Sequence, residues 1–238
     1  MFKTIMKNQR IHFAVGIIAL FVLEMFGSSL MDYNTMDTIS LGEFLIKYRG
    51  KYCDEYRLSA IINACNSEWF YTLIAVIVGI PAVSFVHEQI KNGSLRMYES
   101  RMGRNNYIMN QILYCIVSSA IICLIAFGIY IAIAVSFFNI IPDNIVSVAG
   151  NDNMVSECIS GVIKNYAYII LYGIMMSLLL VLIMYLYQDL LFDISLVFII
   201  SYKMRYIAMN QNFMIVIMGI IFLAVVYHVM WKIRGEKI

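Results

Sequence analysis

Long, continuous apolar runs constrain this chain more than any other feature. A bilayer core is crossed by a helix of about 20 mostly apolar residues, or by a barrel strand of about 10 residues with alternating polarity. The apolar residues here form blocks and do not alternate. We therefore predict an all-α, polytopic membrane protein with six transmembrane helices in a single domain over residues 1–238. The predicted spans are Ile11–Leu30, Trp69–Val86, Gln111–Phe138, Tyr166–Tyr187, Leu190–Tyr202 and Phe213–Trp231.

Composition excludes the soluble classes of protein. Hydrophobic residues make up 62% of the chain, or about 60% when its 13 Gly are counted in place of its 17 Tyr. A soluble domain averages about 45–50% on this second count. Charged residues make up 13% of the chain, against about 25% in a soluble domain. Such a chain is too apolar for a soluble globule or for a disordered segment of this length. Because the net charge is only +2, we expect the lipid bilayer as a partner and no nucleic acid.

The fifth predicted span is short for a complete crossing. We expect Leu190–Tyr202 either to continue towards Asn210 or to be a broken, re-entrant element between the fifth and sixth helices. The first span is expected to be retained, because its apolar stretch is longer than the core of a signal peptide and ends without a small-x-small cleavage site.

The distribution of Lys and Arg predicts that both termini are cytoplasmic. This orientation places ten of the 17 basic residues inside: Lys3, Lys7, Arg10, Lys91, Arg96, Arg101, Arg104, Lys232, Arg234 and Lys237. It places seven outside: Lys47, Arg49, Lys51, Arg57, Lys164, Lys203 and Arg205. The last two are exceptions, since six spans put them in a short outer loop where the rule should apply.

Ionisable residues at membrane depth are costly and are candidates for function. Glu24 lies deep in the first span and is the intramembrane polar candidate. It could line a substrate path or form an ion pair across a dimer, or it could lie near the outer interface and bond to Ser28. Asp189 and Asp193, one helical turn apart at the start of the fifth span, are expected to cap or solvate that helix end.

Known catalytic and metal-binding patterns do not occur in the sequence, so we predict no catalytic residue and no metal site. His87-Glu88 lacks the second histidine of a zinc protease helix, and no Gly-x-Ser-x-Gly elbow occurs. No Cys-x-x-Cys pair occurs among the five cysteines. Cys53, Cys65 and Cys158 would face outside, as disulfide partners in an oxidising setting or as free thiols. Cys115 and Cys123 are expected to be apolar fillers in the third span.

The inner segment between the second and third spans carries the most informative pattern. Glu88 closes the membrane helix and Gly93 interrupts it. An amphipathic stretch follows with Leu95, Met97 and Tyr98, and Ser100-Arg101 and Arg104 precede the next span. Such a segment can form a short helix parallel to the membrane. An ordinary positive-inside loop is the alternative.

This segment resembles the one after the second helix in permease subunits of type-2 ABC exporters. The resemblance rests on Phe85, Glu88, Gly93, Leu95, Ser100, Arg101 and Tyr107. It implies a coupling helix between helices 2 and 3 that docks on an ATPase subunit. The ATPase-coupling residues that it implies are Glu88, Gly93, Leu95, Ser100, Arg101 and Arg104. In that family Pro often follows the serine–arginine pair, whereas Met102 follows it here.

The resemblance implies the permease subunit of an ATP-driven exporter in a cell membrane, on family grounds a bacterial plasma membrane. No phosphate loop occurs in the sequence, so no cofactor is expected in this chain, and ATP and Mg would be bound by a separate ABC ATPase subunit. A second permease chain would complete a homodimer or heterodimer. Hydrophobic peptides, antibiotics and lipids are the cargo classes considered. The alternative is a stand-alone membrane protein, either an intramembrane enzyme or a sensor or immunity factor.

Overall fold

Helices dominate the architecture of the chain. The computed structural model describes residues 9–27, 30–31, 38–48, 68–92, 94–137, 152–187 and 189–235. Its helices are α1 Arg10–Gly27, α2 Leu41–Tyr48, α3 Glu68–Lys91, α4 Ser94–Met102, α5 Arg104–Phe137, α6 Asp152–Tyr187, α7 Leu190–Met209 and α8 Phe213–Gly235. The strands β1 Leu30–Met31 and β2 Thr38–Ile39 form one short antiparallel pair. The predicted helical class is therefore confirmed for the described residues.

Five helices are long and apolar enough to cross a membrane: α1, α3, α5, α6 and α8. The chain is thus a membrane protein by the length and composition of its helices. The 20-residue α7 does not meet the same criterion. Any 18-residue stretch of it contains Asp193, Lys203 and Arg205.

Helices α3 and α6 form the centre of the bundle. Helix α3 contacts α1, α5, α6 and α7, and helix α6 contacts α5, α7 and α8. Buried tyrosines fill the centre, with the ring of Tyr71 edge-on to that of Tyr172 at 5.7 Å and to that of Tyr168 at 6.4 Å. Helix α1 exposes an apolar stripe at helical spacing: Ile11, Val15, Ile18, Val22 and Phe26. An apolar stripe on the outside of a bundle suits contact with lipid.

Helix α7 runs antiparallel to α6 along its whole length. At one end the rings of Tyr187 and Phe192 meet edge to face, with their centres 4.9 Å apart. At the other end, just beyond α7, the side-chain amide of Gln211 donates to Oδ1 of Asn165 at 2.7 Å. The two helices therefore form a closely packed hairpin.

Ser201 fixes the middle of α7 against both central helices. Its Oγ lies 3.2 Å from the hydroxyl oxygen of Tyr172 on α6. The same Oγ donates to the carbonyl oxygens of Tyr71 and Thr72 on α3, at 2.9 and 3.0 Å. A buried serine hydroxyl bonded to neighbouring helices is a common link in membrane bundles.

The fifth span takes the longer of its two predicted forms. The helix continues beyond Tyr202 to Met209, as the extension towards Asn210 anticipated. Only Asn210–Asn212 separates α7 from α8, so the described stretch 189–235 contains no re-entrant element between them. The expectation of such an element was wrong. Lys203 and Arg205 are good helix formers, so they place two charges on α7 without interrupting the helix.

The fourth span begins earlier than predicted. Helix α6 starts at Asp152 and not at Tyr166, so residues 152–165 also belong to the helix. This stretch contains no Pro, and Glu157 and Lys164 support a helix that extends beyond its apolar part.

Gly16 brings α1 into close contact with α3. Pro81 lies inside α3 and has no backbone N–H, so the carbonyl oxygen of Ile77 has no helical donor. A Cβ added at Gly16 would lie 3.6 Å from that oxygen and 3.2 Å from Cδ1 of Ile122. Small residues allow such close approaches between membrane helices.

The stretch Leu41–Tyr48 forms a short helix, α2. A capping box starts it: the Glu43 amide donates to Oγ of Ser40 at 3.2 Å, and the Ser40 amide donates to a Glu43 carboxylate oxygen at 3.0 Å. These bonds lower the pKa of Glu43 below its ordinary value.

The structure tests the predictions for two of the five cysteines. Cys115 and Cys123 are buried in α5, as predicted for apolar fillers. Cys53 and Cys65 lie outside the described residues, and so does the side chain of Cys158 on α6. The N-terminal residues Lys3 and Lys7 also lie outside them.

Candidate functional site at the α3–α4–α5 junction

The predicted short helix after the second span is present as α4. Helix α3 ends at Lys91, and the amide of Asn92 donates to the carbonyl oxygen of Glu88 at 3.0 Å. The nine residues of α4 then pack against α3 and α5. Gly93, where the sequence predicts the interruption, lies outside the described residues.

A second glycine shapes the junction and was missed by the sequence analysis. Gly103 separates α4 from α5 with a φ of +75°, in the left-handed region that favours glycine. The side-chain amide of Asn106 donates to the carbonyl oxygen of Met102 at 3.1 Å, which satisfies an end group of α4. A glycine directly after an amphipathic stretch is the signal that would have predicted this helix end.

The predicted coupling residues share one end of the bundle. Ser100 and Arg101 are exposed on α4, and Ser100 Oγ donates to the carbonyl oxygen of Met97 at 3.0 Å. Met97 is itself 56% exposed. Leu95 lies on α4 and Arg104 begins α5, but their side chains lie outside the described part of the structure.

Glu88 lies on the last turns of α3 with an exposed carboxylate. One of its oxygens accepts a hydrogen bond of 2.9 Å from the side-chain amide of Gln9, immediately before α1. The predicted candidate therefore connects the junction to the start of the first helix.

A buried polar cluster, here called the Gln–Tyr cluster, underlies the junction. Its members come from four helices: Gln89 of α3, Tyr107 and Gln111 of α5, Tyr185 of α6 and Tyr227 of α8. All five are buried. The sequence analysis missed it, although glutamines near the ends of apolar spans are a usable signal, because polar groups there must find partners.

Gln111 is the centre of the Gln–Tyr cluster. Its Nε2 donates to Oε1 of Gln89 at 3.0 Å and to the hydroxyl of Tyr107. Its Oε1 accepts from the hydroxyls of Tyr185, at 2.7 Å, and Tyr227. Tyr107 in turn donates to Oε1 of Gln89. These bonds join α3, α5, α6 and α8 beside α4.

One hydrogen bond of the Gln–Tyr cluster joins the chain before α4 to the chain after it. Gln89 precedes α4 and Tyr107 follows it, so their hydrogen bond joins the two flanks of the segment that contains α4. In a low-dielectric interior such bonds are strong, and breaking one leaves a costly buried group. The junction is therefore expected to move as a unit.

Glu24 lies in the middle of the packed bundle, away from the junction. Its side chain is 0% exposed, and neither carboxylate oxygen has a hydrogen-bond partner among the described residues. Ser28, the partner considered in the sequence analysis, lies outside them. A carboxyl buried in this way differs from one at a water-exposed interface.

Asp189 and Asp193 play different parts at the start of α7. Asp189 caps the helix as predicted, with Oδ1 accepting from the amides of Leu191 and Phe192 at 3.1 and 3.4 Å. Asp193 is fully buried, and its oxygens have no hydrogen-bond partner among the described residues. The expectation that it is solvated was wrong, because the packing of α7 on α3 turns it inward, within electrostatic reach of His87.

The junction consists of the short helix α4, with exposed Ser100 and Arg101, and the buried Gln–Tyr cluster beside it. Among the described residues, no three His, Cys, Asp or Glu side chains are grouped closely enough to hold a metal ion.

The chain matches no model of a protein family, no curated protein and no solved structure.

Proposed function

We propose that the chain is the permease subunit of an ATP-driven ABC exporter, which forms a translocation path and couples it to a separate ATPase subunit. One observation carries the proposal. A nine-residue helix with exposed Met97, Ser100 and Arg101 lies between two long apolar helices. Directly behind it, the Gln–Tyr cluster joins four helices.

The proposed topology has six spans, with α7 as the fifth. Its 20 residues correspond to a length of about 30 Å, which equals the thickness of a bilayer core. Its contacts with α6 run from Phe192 to Gln211, so the two helices extend over the same depth. Six crossings put both termini on one side, and the excess of Lys and Arg makes that side cytoplasmic, together with α4.

The Gln–Tyr cluster supports coupling by a mechanical route. An ATPase subunit docked on α4 would displace the junction when it closes around ATP. The Gln89–Tyr107 bond keeps the two flanks of the junction together. Gln111 then transmits the displacement to Tyr185 on α6 and to Tyr227 on α8. Rocking of these helices would alternate the access of the path.

The remaining components follow from the same proposal. ATP and Mg are bound by the ATPase subunit, in a bacterial plasma membrane. A second permease chain, identical or different, completes the path for hydrophobic peptides, antibiotics or lipids. The exposed apolar sides of α1 and α8 are available to that chain or to lipid.

Purification from native membranes tests the proposal. The tagged chain should co-purify with a polypeptide that hydrolyses ATP. Arg101→Ala and Glu88→Gln should lower coupled ATP turnover by about tenfold each, since a lost charged contact is worth about 1.5–3 kcal/mol. Lys164→Gln, an exposed charge on α6 far along the chain from the junction, is the matched control and should keep full turnover.

The stand-alone alternative predicts the opposite pattern. A chain that is active when reconstituted alone would support it. Full coupled turnover in both Arg101→Ala and Glu88→Gln would contradict the role proposed for the junction.

A further inference from the structure

Asp193 of α7 and His87 of α3 are buried titratable groups that the coupling proposal does not use. Asp193 is 0% exposed, and neither of its carboxylate oxygens has a hydrogen-bond partner among the described residues. Nδ1 of His87 is also buried without such a partner. A buried charge is costly unless it is paired. The two side chains are within electrostatic reach of each other, so each can offset a charge on the other.

The packing of α7 turns Asp193 towards α3. Asp193, Val197 and Ser201 follow one another at intervals of four residues, and all three are 0% exposed. Residues at this spacing share one face of a helix. On that face, Ser201 donates to the carbonyl oxygens of Tyr71 and Thr72 on α3. Asp193 therefore lies on the face of α7 that packs against α3.

Contacts through α6 put the start of α7 level with the last turns of α3. The ring contact between Tyr187 and Phe192 joins the end of α6 to the start of α7. Tyr185 of α6 and Gln89 of α3 bond to the same amide, at the centre of the Gln–Tyr cluster. His87 precedes Gln89 by two residues. The carboxyl on α7 and the imidazole on α3 thus lie at the end of the bundle that carries the junction.

Other ionisable groups occupy the same turns of the three helices. On α7, α3 and α6 they are Asp189, Glu88, Lys91, Tyr185 and Tyr187. Asp189 is exposed at the cap of α7, and as a like charge one turn away it repels a negative charge on Asp193. Glu88 bonds to Gln9, and Lys91 is exposed at the end of α3, where water screens its charge. His87 is therefore the buried group that can balance a charge on Asp193.

We propose that His87 and Asp193 form a proton-binding site between α3 and α7. With one proton bound the pair has no net charge, either as two neutral groups or as an imidazolium beside a carboxylate, and the two forms titrate as one site. Release of the proton to water leaves a lone carboxylate in a buried contact, which is costly. The packing of α7 on α3 is therefore tied to pH, at the level of the Gln–Tyr cluster. This site does not depend on an ATPase.

Unfolding of the purified chain in mixed micelles, measured across pH, tests the site. In the unfolded chain Asp loses its proton above about pH 4 and His above about pH 6.5. Above about pH 6.5 the folded chain therefore holds one proton more than the unfolded chain, so stability falls as pH rises. The unfolding equilibrium constant should rise by about tenfold per pH unit until the folded pair releases its proton. This rise is here called the alkaline dependence, and it is measured relative to the double variant His87→Gln with Asp193→Asn.

Single variants assign the proton to the two side chains. Asp193→Asn leaves His87 without a carboxylate and should lose the alkaline dependence. His87→Gln leaves Asp193 alone, and since the buried carboxyl keeps its proton, stability should begin to fall at about pH 4 and not at about pH 6.5. Asp189→Asn is the matched control. It removes an exposed carboxylate one turn away, retains a residue that caps a helix well, and should keep the alkaline dependence.

Three outcomes would contradict the site. An unchanged alkaline dependence in Asp193→Asn would show that the carboxyl takes no part in holding the proton. A fall in stability that begins at the same pH in His87→Gln as in the unaltered chain would exclude the imidazole. Equal loss of the alkaline dependence in Asp189→Asn and Asp193→Asn would indicate a general effect of negative charge at the start of α7. If Asp193→Asn does not fold, the starting pH in His87→Gln still decides.

Discussion

Gln111 shows how one polar residue can organise a membrane bundle. An amide offers both donors and an acceptor, so it bonds to Gln89 and Tyr107 through nitrogen and to Tyr185 and Tyr227 through oxygen. A leucine of similar size fits the same volume but satisfies none of these groups. Gln111 therefore takes part in four of the hydrogen bonds that connect the helices at the junction.

Gln111→Leu should be the most destabilising substitution in the cluster. It removes four hydrogen bonds from buried groups, at an average of about 0.6 kcal/mol for such bonds in a membrane protein. We expect a loss of about 2 kcal/mol in the free energy of unfolding in mixed micelles. Tyr227→Phe removes one of these bonds and is the matched control. An equal loss in the two variants would show that the cluster does not act through Gln111.

Glu24 should cost the chain stability. The Glu24 carboxyl is fully buried and has no hydrogen-bond partner among the residues that the structure describes, so those residues do not compensate the loss of its hydration. Glu24→Met, which is similar in size and apolar, should therefore raise the unfolding temperature. Glu88→Met, at an exposed carboxylate, should not. A lower unfolding temperature for Glu24→Met would indicate a partner for Glu24, such as a group on a second chain.

At the scale of elements, the sequence predicts which segments are helical better than where they end. The apolar runs predicted α1, α3, α5, α6 and α8, because apolar length alone decides a span. The start of α6 was missed and the end of α7 was left open between Tyr202 and Asn210, since polar helical turns continue beyond the apolar part at Asp152 and through Lys203. The glutamines near the ends of the spans are visible in the sequence. Which side chains they bond to could not be predicted, because that depends on which helices are neighbours.

Gly16 sets the distance between α1 and α3. Gly16→Val should lower the free energy of unfolding by about 1–3 kcal/mol, because added methyl groups meet Ile122 and the backbone oxygen of Ile77. Gly128→Val is the matched control: it is an exposed helical glycine on α5, with open space around a built Cβ. Similar effects of both variants would mean that the close approach of α1 is not what matters.

For the whole molecule, the junction and the basic end of α7 lie at opposite ends of one bundle. The junction around α4 lies at the end where α3 finishes and α5 begins. The basic end of α7 lies at the level of Asn165 and Gln211, where α6 enters its apolar stretch. If α4 is cytoplasmic, Lys203 and Arg205 face the outer leaflet.

Site-specific photo-crosslinking at Met97 tests the central claim most directly. A photoreactive phenylalanine derivative replaces Met97 on α4 or, as the control, Met214 on α8, which is 71% exposed. After illumination of native membranes, the Met97 position should be joined to a polypeptide that carries a phosphate loop and hydrolyses ATP, and the Met214 position should not. Absence of a second polypeptide at Met97, or an equal yield of the ATPase at Met214, would contradict the account.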